Sequence, residues 1–293
     1  MKRKILAVVA CMLVIATLFA VACAFVGCKK DSSSQQYVET KTKNITVGIT
    51  NAAPMNFKNA KGQWVGFDTE LTVTVFNALG YNVMFKEIEW SNKYVELESG
   101  TIDCIWNGFT ANSSDEVNGV KKDRSELVNF SLHYMINEQC VVRNKSITFT
   151  DENSFSNKTI AYETIAYETG SSGDAGVGYL EEDYESVKFI KKGMKSQSEA
   201  LREVNAGTAD FAVVDKSIAE NALAGYTNIA IVDNFDYFGL EYYAIGFKKS
   251  EAGAALRDKV NTLLTAFYNI GYLKELAEKY NIEYSRITSA FSA

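Results

Sequence analysis

The sequence has one histidine, His133, and one proline, Pro54. A single histidine excludes a multi-histidine metal site. Any histidine-based acid–base chemistry must run through His133. The five cysteines (11, 23, 28, 104 and 140) lack the paired spacing of a metal site. Neither the P-loop pattern nor the G-x-G-x-x-G dinucleotide pattern occurs. Basic residues are in deficit, 30 against 36 acidic ones, and the net charge of −6 argues against nucleic acid as a partner. There is no compositional mark of disorder: 47% of residues are hydrophobic and 23% charged, close to the globular norm. A length of 293 residues fits one large domain or two small ones.

The N-terminus reads as an export signal. Lys2, Arg3 and Lys4 precede an uncharged apolar run from Ile5 to Gly27. Taken alone, that run is also long enough to span a bilayer as an uncleaved anchor. Phe25-Val26-Gly27-Cys28, followed by Lys29-Lys30-Asp31 and a Ser/Gln stretch, resembles a bacterial lipobox with its tether. The expectation is a signal peptide over 1–27, a lipidated Cys28 (Cys23 is the weaker rival) and a flexible tether over 28–43. Removing the signal strips three basic residues and takes the net charge from −6 to about −9.

Strand and helix patterns alternate in the mature chain, which predicts an α/β fold. Ile45–Ile49 is β-branched and alternating. Phe67, Leu71, Val75 and Leu79 place an apolar stripe on one helix, with Gly80 as its stop. A strand at Asn82–Ile88, a helix at Tyr94–Ser99 and a buried strand at Ile102–Trp106 follow. The alternation restarts after Asn157, with strands at Thr159–Tyr167 and Phe211–Val214 around a helix at Ser198–Ala206. It closes with a strand at Tyr242–Phe247 and helices over 256–267 and 273–280. The pentapeptide Ile160-Ala161-Tyr162-Glu163-Thr164 repeats at once as Ile165-Ala166-Tyr167-Glu168-Thr169. Five is odd, so a slip of one copy would turn the strand's faces over. One copy is expected in the sheet and one looped out, the second being the better strand.

Gly66-Phe67-Asp68-Thr69-Glu70-Leu71 is one of several collinear motifs. Pro54-Met55-Asn56-Phe57 precedes it. Ser99-Gly100-Thr101-Ile102-Asp103 and Gly108-Phe109-Thr110 come next, then Arg124 with Val128-Asn129-Phe130-Ser131. Gly170-Ser171-Ser172, the Asp210–Asp215 segment and the closing helices complete the series. In this order the motifs resemble family 3 of the bacterial extracellular solute-binding proteins, the amino-acid-binding components of ABC importers. The resemblance runs from about Ile45 to Ile282. It implies a type II, two-lobed periplasmic-binding-protein-like fold with hinge strands near Tyr134–Glu138 and Gly239–Ala244. One lobe would hold 44–136 and 242–293, the other 137–241.

The family's site residues carry over by position. Arg124 would take a ligand α-carboxylate, helped by Thr110, with Ser171 and Ser172 contributing from the second lobe at a helix N-terminus. Asp215 and the Gly108 carbonyl would take the α-ammonium. Trp90, Phe57, Asn51 and Glu168 would meet the ligand side chain, and Glu168 leans it towards a polar or cationic amino acid. Taken singly, Trp90 also fits a core position, Asp215 a helix cap and Arg124 an exposed surface. Asp68 and Glu70 read as charges favouring helix entry. One departure stands out: Thr110 and Arg124 are separated by the segment Ala111–Asp123, where the family has only a few residues. The resemblance implies no cofactor and no metal. The expected partners are a free amino acid, the permease subunits and, through the lipid, the membrane, with the protein itself a monomer. An enzyme of dehydratase type on the same fold and a sensing or adhesion lipoprotein are the alternatives.

Overall fold

The computed structural model describes residues 43–150, 164–168 (backbone), 170–184, 190–233 and 238–292. The export segment, Cys28, the tether to residue 42, Glu163 and the Glu168 side chain lie outside the described residues.

The chain opens with β1 (Lys43–Ile49), whose Ile45, Val47 and Ile49 are buried. The short hairpin β2 (Phe57–Lys58) and β3 (Trp64–Val65) leads into helix α1 (Phe67–Ala78). α1 crosses to β4 (Tyr81–Glu87), which pairs in parallel with β1 from Lys43↔Tyr81 to Ile49↔Glu87. Helix α2 (Lys93–Ser99) ends at Gly100 in the left-handed conformation and returns the chain to β5 (Cys104–Thr110). β5 is fully buried and runs further than its apolar pattern indicated, to Thr110.

The segment after Thr110, which reads as an insertion, folds as a hairpin of β6 (Ser114–Val117) and β7 (Val120–Asp123). Asn118 and Gly119 both have positive φ at its turn, the backbone of a two-residue hairpin loop with matching twist. A single helical turn, α3 (Arg124–Leu127), and β8 (Val128–Phe130) follow, then the long β9 (Met135–Asn144).

The second lobe contains β10 (Thr164–Glu168), α4 (Ser172–Asp183), β11 (Ile190–Met194), α5 (Gln197–Ala206), β12 (Phe211–Asp215), α6 (Lys216–Leu223) and β13 (Ile229–Ile231). Thr164 and the first four residues of the second pentapeptide copy form β10, which pairs in parallel with β11 and β12. Alternate residues of β9 and β12 face opposite layers. Val142 and Val214 pack with Leu201, Val204 and Ile218, while Val141, Phe211 and Val213 pack with Val177 and Leu180. The chain returns through β14 (Leu240–Lys248) to α7 (Glu251–Asn269), α8 (Tyr272–Lys279) and α9 (Tyr284–Ser292). Sequence periodicity did not reveal α9. Its Ile287 enters the first lobe's core, while Arg286 meets Glu220 of α6 at 3.1 Å. It therefore touches both lobes.

The strand order is β11-β10-β12-β9-β14-β5-β1-β4, with β13 and β8 added alongside β9 and β14. Among the described strands, the β9–β14 pair joins the two halves of this path. Met135–Glu138 pair with Leu240–Tyr243, after which β9 continues against β12 and β14 against β5. The fold is thus a two-lobed α/β structure with two hinge strands. Cys104 and Cys140 are buried free thiols, one in each lobe's core.

Gly66 marks the entry to α1. Its φ is +132°, and a Cβ there would stand 2.1 Å from the Met55 carbonyl oxygen. Both the backbone and the space require glycine. Gly66→Ala is expected to cost about 3 kcal/mol in urea unfolding, combining strain and overpacking. A loss below about 1 kcal/mol would contradict this packing.

Candidate functional site

The carboxyl end of β5 delivers Gly108, Phe109 and Thr110 to the side of the sheet that faces the second lobe. Gly108 has φ +58° and donates its N–H to Asp68 Oδ2 at 2.8 Å. Tyr134 donates its hydroxyl to the same oxygen at 3.0 Å. Asp68 is therefore a buried brace under β5. Asp68 does stand in the first turn of α1, as expected of a helix-entry charge, but it is fully buried and its carboxyl is committed to β5 and Tyr134. Glu70 accepts from Lys279 at 2.7 Å and ties α1 to α8.

Arg124 opens α3, where Asp123 and Glu126 form a reciprocal capping box. The β6–β7 hairpin brings the chain back, so the Arg124 N–H reaches the Ser113 carbonyl at 2.9 Å. The long separation between Thr110 and Arg124 is closed in this way. The exposed-surface alternative fails, because Arg124 is 1% exposed. Its Nε and Nη2 donate to Asp115 Oδ1 at 3.1 and 2.9 Å. Its Nη1 donates to the Thr110 carbonyl at 3.0 Å and to Ser172 Oγ, across the lobes, at 3.3 Å. The guanidinium also lies 5.2 Å from the centre of the Phe109 ring.

Asp115 and Lys93, neither of which stood out in the sequence, complete this cluster. Asp115 Oδ2 accepts from Tyr94 Oη at 2.6 Å and lies 2.9 Å from Lys93 Nζ. Lys93 Nζ also donates to the Gly170 carbonyl of the second lobe at 2.9 Å. Burial opposes ionisation of Asp115, but the Arg124 and Lys93 charges outweigh it and hold the carboxyl down at about 2. Arg124 and Lys93 thus share the Asp115 carboxylate. Trp90 is buried, edge-on to Phe109 at 5.3 Å, with the Lys93 ammonium 5.2 Å from its ring. Ser171 caps α4 by accepting from the Asp174 N–H at 3.2 Å.

A second, acidic group sits at the hinge. Asp215, at the end of β12, is buried and caps no helix with its side chain. It accepts from Tyr243 Oη at 2.7 Å, from Gln197 Nε2 at 2.9 Å and from Gln139. Gln139 Nε2 donates as well to Glu241 Oε2 at 2.9 Å, and Asn137 Nδ2 reaches that oxygen at 2.8 Å. Burial, then the neighbouring Glu241 charge, push the Asp215 carboxyl well above the usual range. Glu241, Gln139 and Asn137 were missed in the sequence. Their roles depend on cross-strand pairing, not on local pattern.

The other expected residues are more dispersed. Asn51 lines a cavity of about 300 Å³ with Glu89, Lys195 and Arg202. Phe57 stands in β2, its ring edge-on to Tyr280 at 6.3 Å. Glu168 ends β10 opposite Met194. A larger cavity of about 610 Å³ is lined by Asn112, Gln139, Ser172, Tyr179, Glu182 and Glu241. His133 stacks on Tyr242 at 4.7 Å beside the hinge, and burial lowers its pKa. Among the described residues no group of three or more His, Cys, Asp or Glu is arranged to hold a metal ion.

The fold thus combines a cationic cluster that contacts both lobes with an acidic group on the hinge strands. Residues 45–283 match the bacterial extracellular solute-binding proteins, family 3, and the chain belongs to that family. It therefore acts outside the cytoplasm. It is 28% identical over 271 residues to "Probable amino-acid-binding protein YxeM" of Bacillus subtilis, covering 92% of this chain and 93% of that protein. It is 25% identical over 272 residues to "Probable ABC transporter arginine-binding protein ArtJ" of Chlamydia trachomatis, covering 90% and 94%. A similar solved structure is an ABC uptake transporter substrate binding protein from Streptococcus pneumoniae with bound histidine. It matches with TM-score 0.69 at 28% identity, over 85% of this chain and 97% of that one.

Burial raises the Asp68 carboxyl from 3.8 to about 7, against the hydrogen bonds from Gly108 and Tyr134 that lower it. Between those pH values the folded state holds a proton that the unfolded chain has lost. Stability therefore falls as pH rises from about 4 to about 7, then levels. Asp68→Asn keeps an acceptor and removes this contribution. Relative to the unchanged protein, the variant should gain on the order of 2–4 kcal/mol between pH 4 and pH 8 in urea unfolding. Parallel stability profiles would show that Asp68 does not titrate in this range.

Proposed function

We propose that this chain is the substrate-binding component of an ABC importer. It takes a free amino acid between its lobes and delivers it to the permease subunits without converting it. The observation that carries this reading is the polarity of the cleft. Arg124 and Lys93 place two cations at the contact between the lobes, and Asp215 with Glu241 places two acidic groups at the hinge. A zwitterion needs both when it leaves water. The amino-acid-binding names of the relatives support the same reading.

In this proposal the α-carboxylate is taken at Arg124, with Thr110, Ser171 and Ser172 around it, and the α-ammonium by Asp215 and the Gly108 carbonyl. Trp90, Asn51, Phe57 and Glu168 remain the proposed side-chain contacts. The acidic lining by Glu182 and Glu241 favours a polar or cationic ligand. Arg124, Lys93 and Asp215 come from different lobes, so ligand contacts on both sides would stabilise the closed arrangement over the open one. Lobe limits of 44–136 with 242–293, and 137–241, place β9 and β14 at the crossing. We further propose that Cys28 carries the lipid that anchors the protein, as a monomer, to the outer face of the membrane. His133, stacked at the hinge, is poorly placed for the chemistry a dehydratase would need.

A thermal-shift screen of the mature chain, unfolded and refolded to remove carried-over ligand, tests the proposal. A binder at a hundred times its dissociation constant should add roughly 2.7 kcal/mol. Arginine, histidine and glutamine are the first candidates. If none of the twenty amino acids shifts the transition, the reading fails.

A further inference from the structure

The carboxylate seat of Arg124 is taken by a carboxylate from this same chain. Asp115 faces the Nε/Nη2 edge of the guanidinium, the edge that grips a carboxylate with two hydrogen bonds. Its other oxygen meets Tyr94 and Lys93. Arg124, Lys93 and Tyr94 are therefore all engaged with Asp115.

The element that carries Asp115 is self-contained. Among the described strands, β6 and β7 pair only with each other, from Ser114↔Asp123 to Val117↔Val120. The positive φ angles of Asn118 and Gly119 close their turn. Val120 is exposed at the tip side of the hairpin. A two-stranded ribbon of this kind is held to the body mainly by what its side chains grip. Here that grip includes Asp115 on Arg124 and Lys93.

We propose that Asp115 is a built-in competitor for the ligand's carboxylate and so sets the affinity threshold of the cleft. The inference rests on the amino-acid reading only for the nature of the displacing ligand. Exchange replaces one carboxylate by another at the same two cations, so the swap is nearly balanced in charge. What opposes the ligand is the high local concentration of a tethered rival, of millimolar order for a short connection. Removing the rival should tighten binding. A residue that merely positions Arg124 would weaken binding when removed.

Two variants separate these cases. Asp115→Ala opens the seat, and sodium acetate serves as the probe. Acetate at tens of millimolar should raise the melting temperature of Asp115→Ala by several degrees. It should shift the unchanged protein by under one degree, with sodium chloride at equal ionic strength as the reference. Asp115→Asn preserves shape and tests displacement directly. By calorimetry, its affinity for the amino acid that stabilises the unchanged protein should rise tenfold or more. Equal acetate shifts in variant and parent, or an Asp115→Asn affinity that is unchanged or weaker, would overturn the proposal. Acetate rescue in the absence of any amino-acid binder would support the carboxylate seat and count against the amino-acid reading alone.

Discussion

A guanidinium buried to 1% exposure has to be neutralised and hydrogen-bonded, and the cleft is organised around that requirement at Arg124. Leaving such a charge unpaired costs about 3–5 kcal/mol. The structure meets the demand with groups from four places: the Asp115 hairpin, the Thr110 carbonyl at the end of β5, the Phe109 ring, and Ser172 at the start of α4. Lys93 repeats the arrangement one step away, joining Asp115 to the Gly170 carbonyl. Because Ser172 and Gly170 belong to the second lobe, charge satisfaction in the first lobe is also a contact between lobes.

The acidic group is built differently. Gln139 lies on β9 and Glu241 on β14, the two strands that connect the lobes, and Asp215 ends β12 beside them. One amide bridges two carboxylates there. Any rotation of the lobes must move through these strands, so a cation placed against Asp215 and Glu241 acts at the hinge itself. The two ends of a zwitterion would thus read two different devices. One is a cationic clasp that contacts both lobes, and the other is an acidic group mounted on the moving connection.

Much of this was legible in the sequence because it is local. The stripe Phe67–Leu71–Val75 gives α1, alternation gives β1, glycine stops close α1 and α2, and the second pentapeptide copy sits in β10. Arg124, Thr110 and Ser172 were singled out by collinear motifs and Trp90 by its position in the resemblance, and the structure gathers them. What escaped was long-range or masked by ambiguity. Asp115 sits in a polar stretch that looks like an insertion, and only its return as a hairpin gives it a partner nine residues on. Lys93 reads as an ordinary helix-start lysine until Gly170, 77 residues away, supplies its second contact. Asp68 fits a helix N-terminus by position, yet the Gly108 N–H and the Tyr134 hydroxyl claim it from inside. α9 has an amphipathic pattern too short to separate from a frayed terminus.

The measurement closest to the central claim is a crystal structure of the mature protein with the amino acid that stabilises it most. The account predicts the ligand carboxylate on the Nε/Nη2 edge of Arg124, its ammonium against Asp215, and Asp115 displaced from the guanidinium. A ligand bound elsewhere, with the Asp115–Arg124 pair intact, would contradict it.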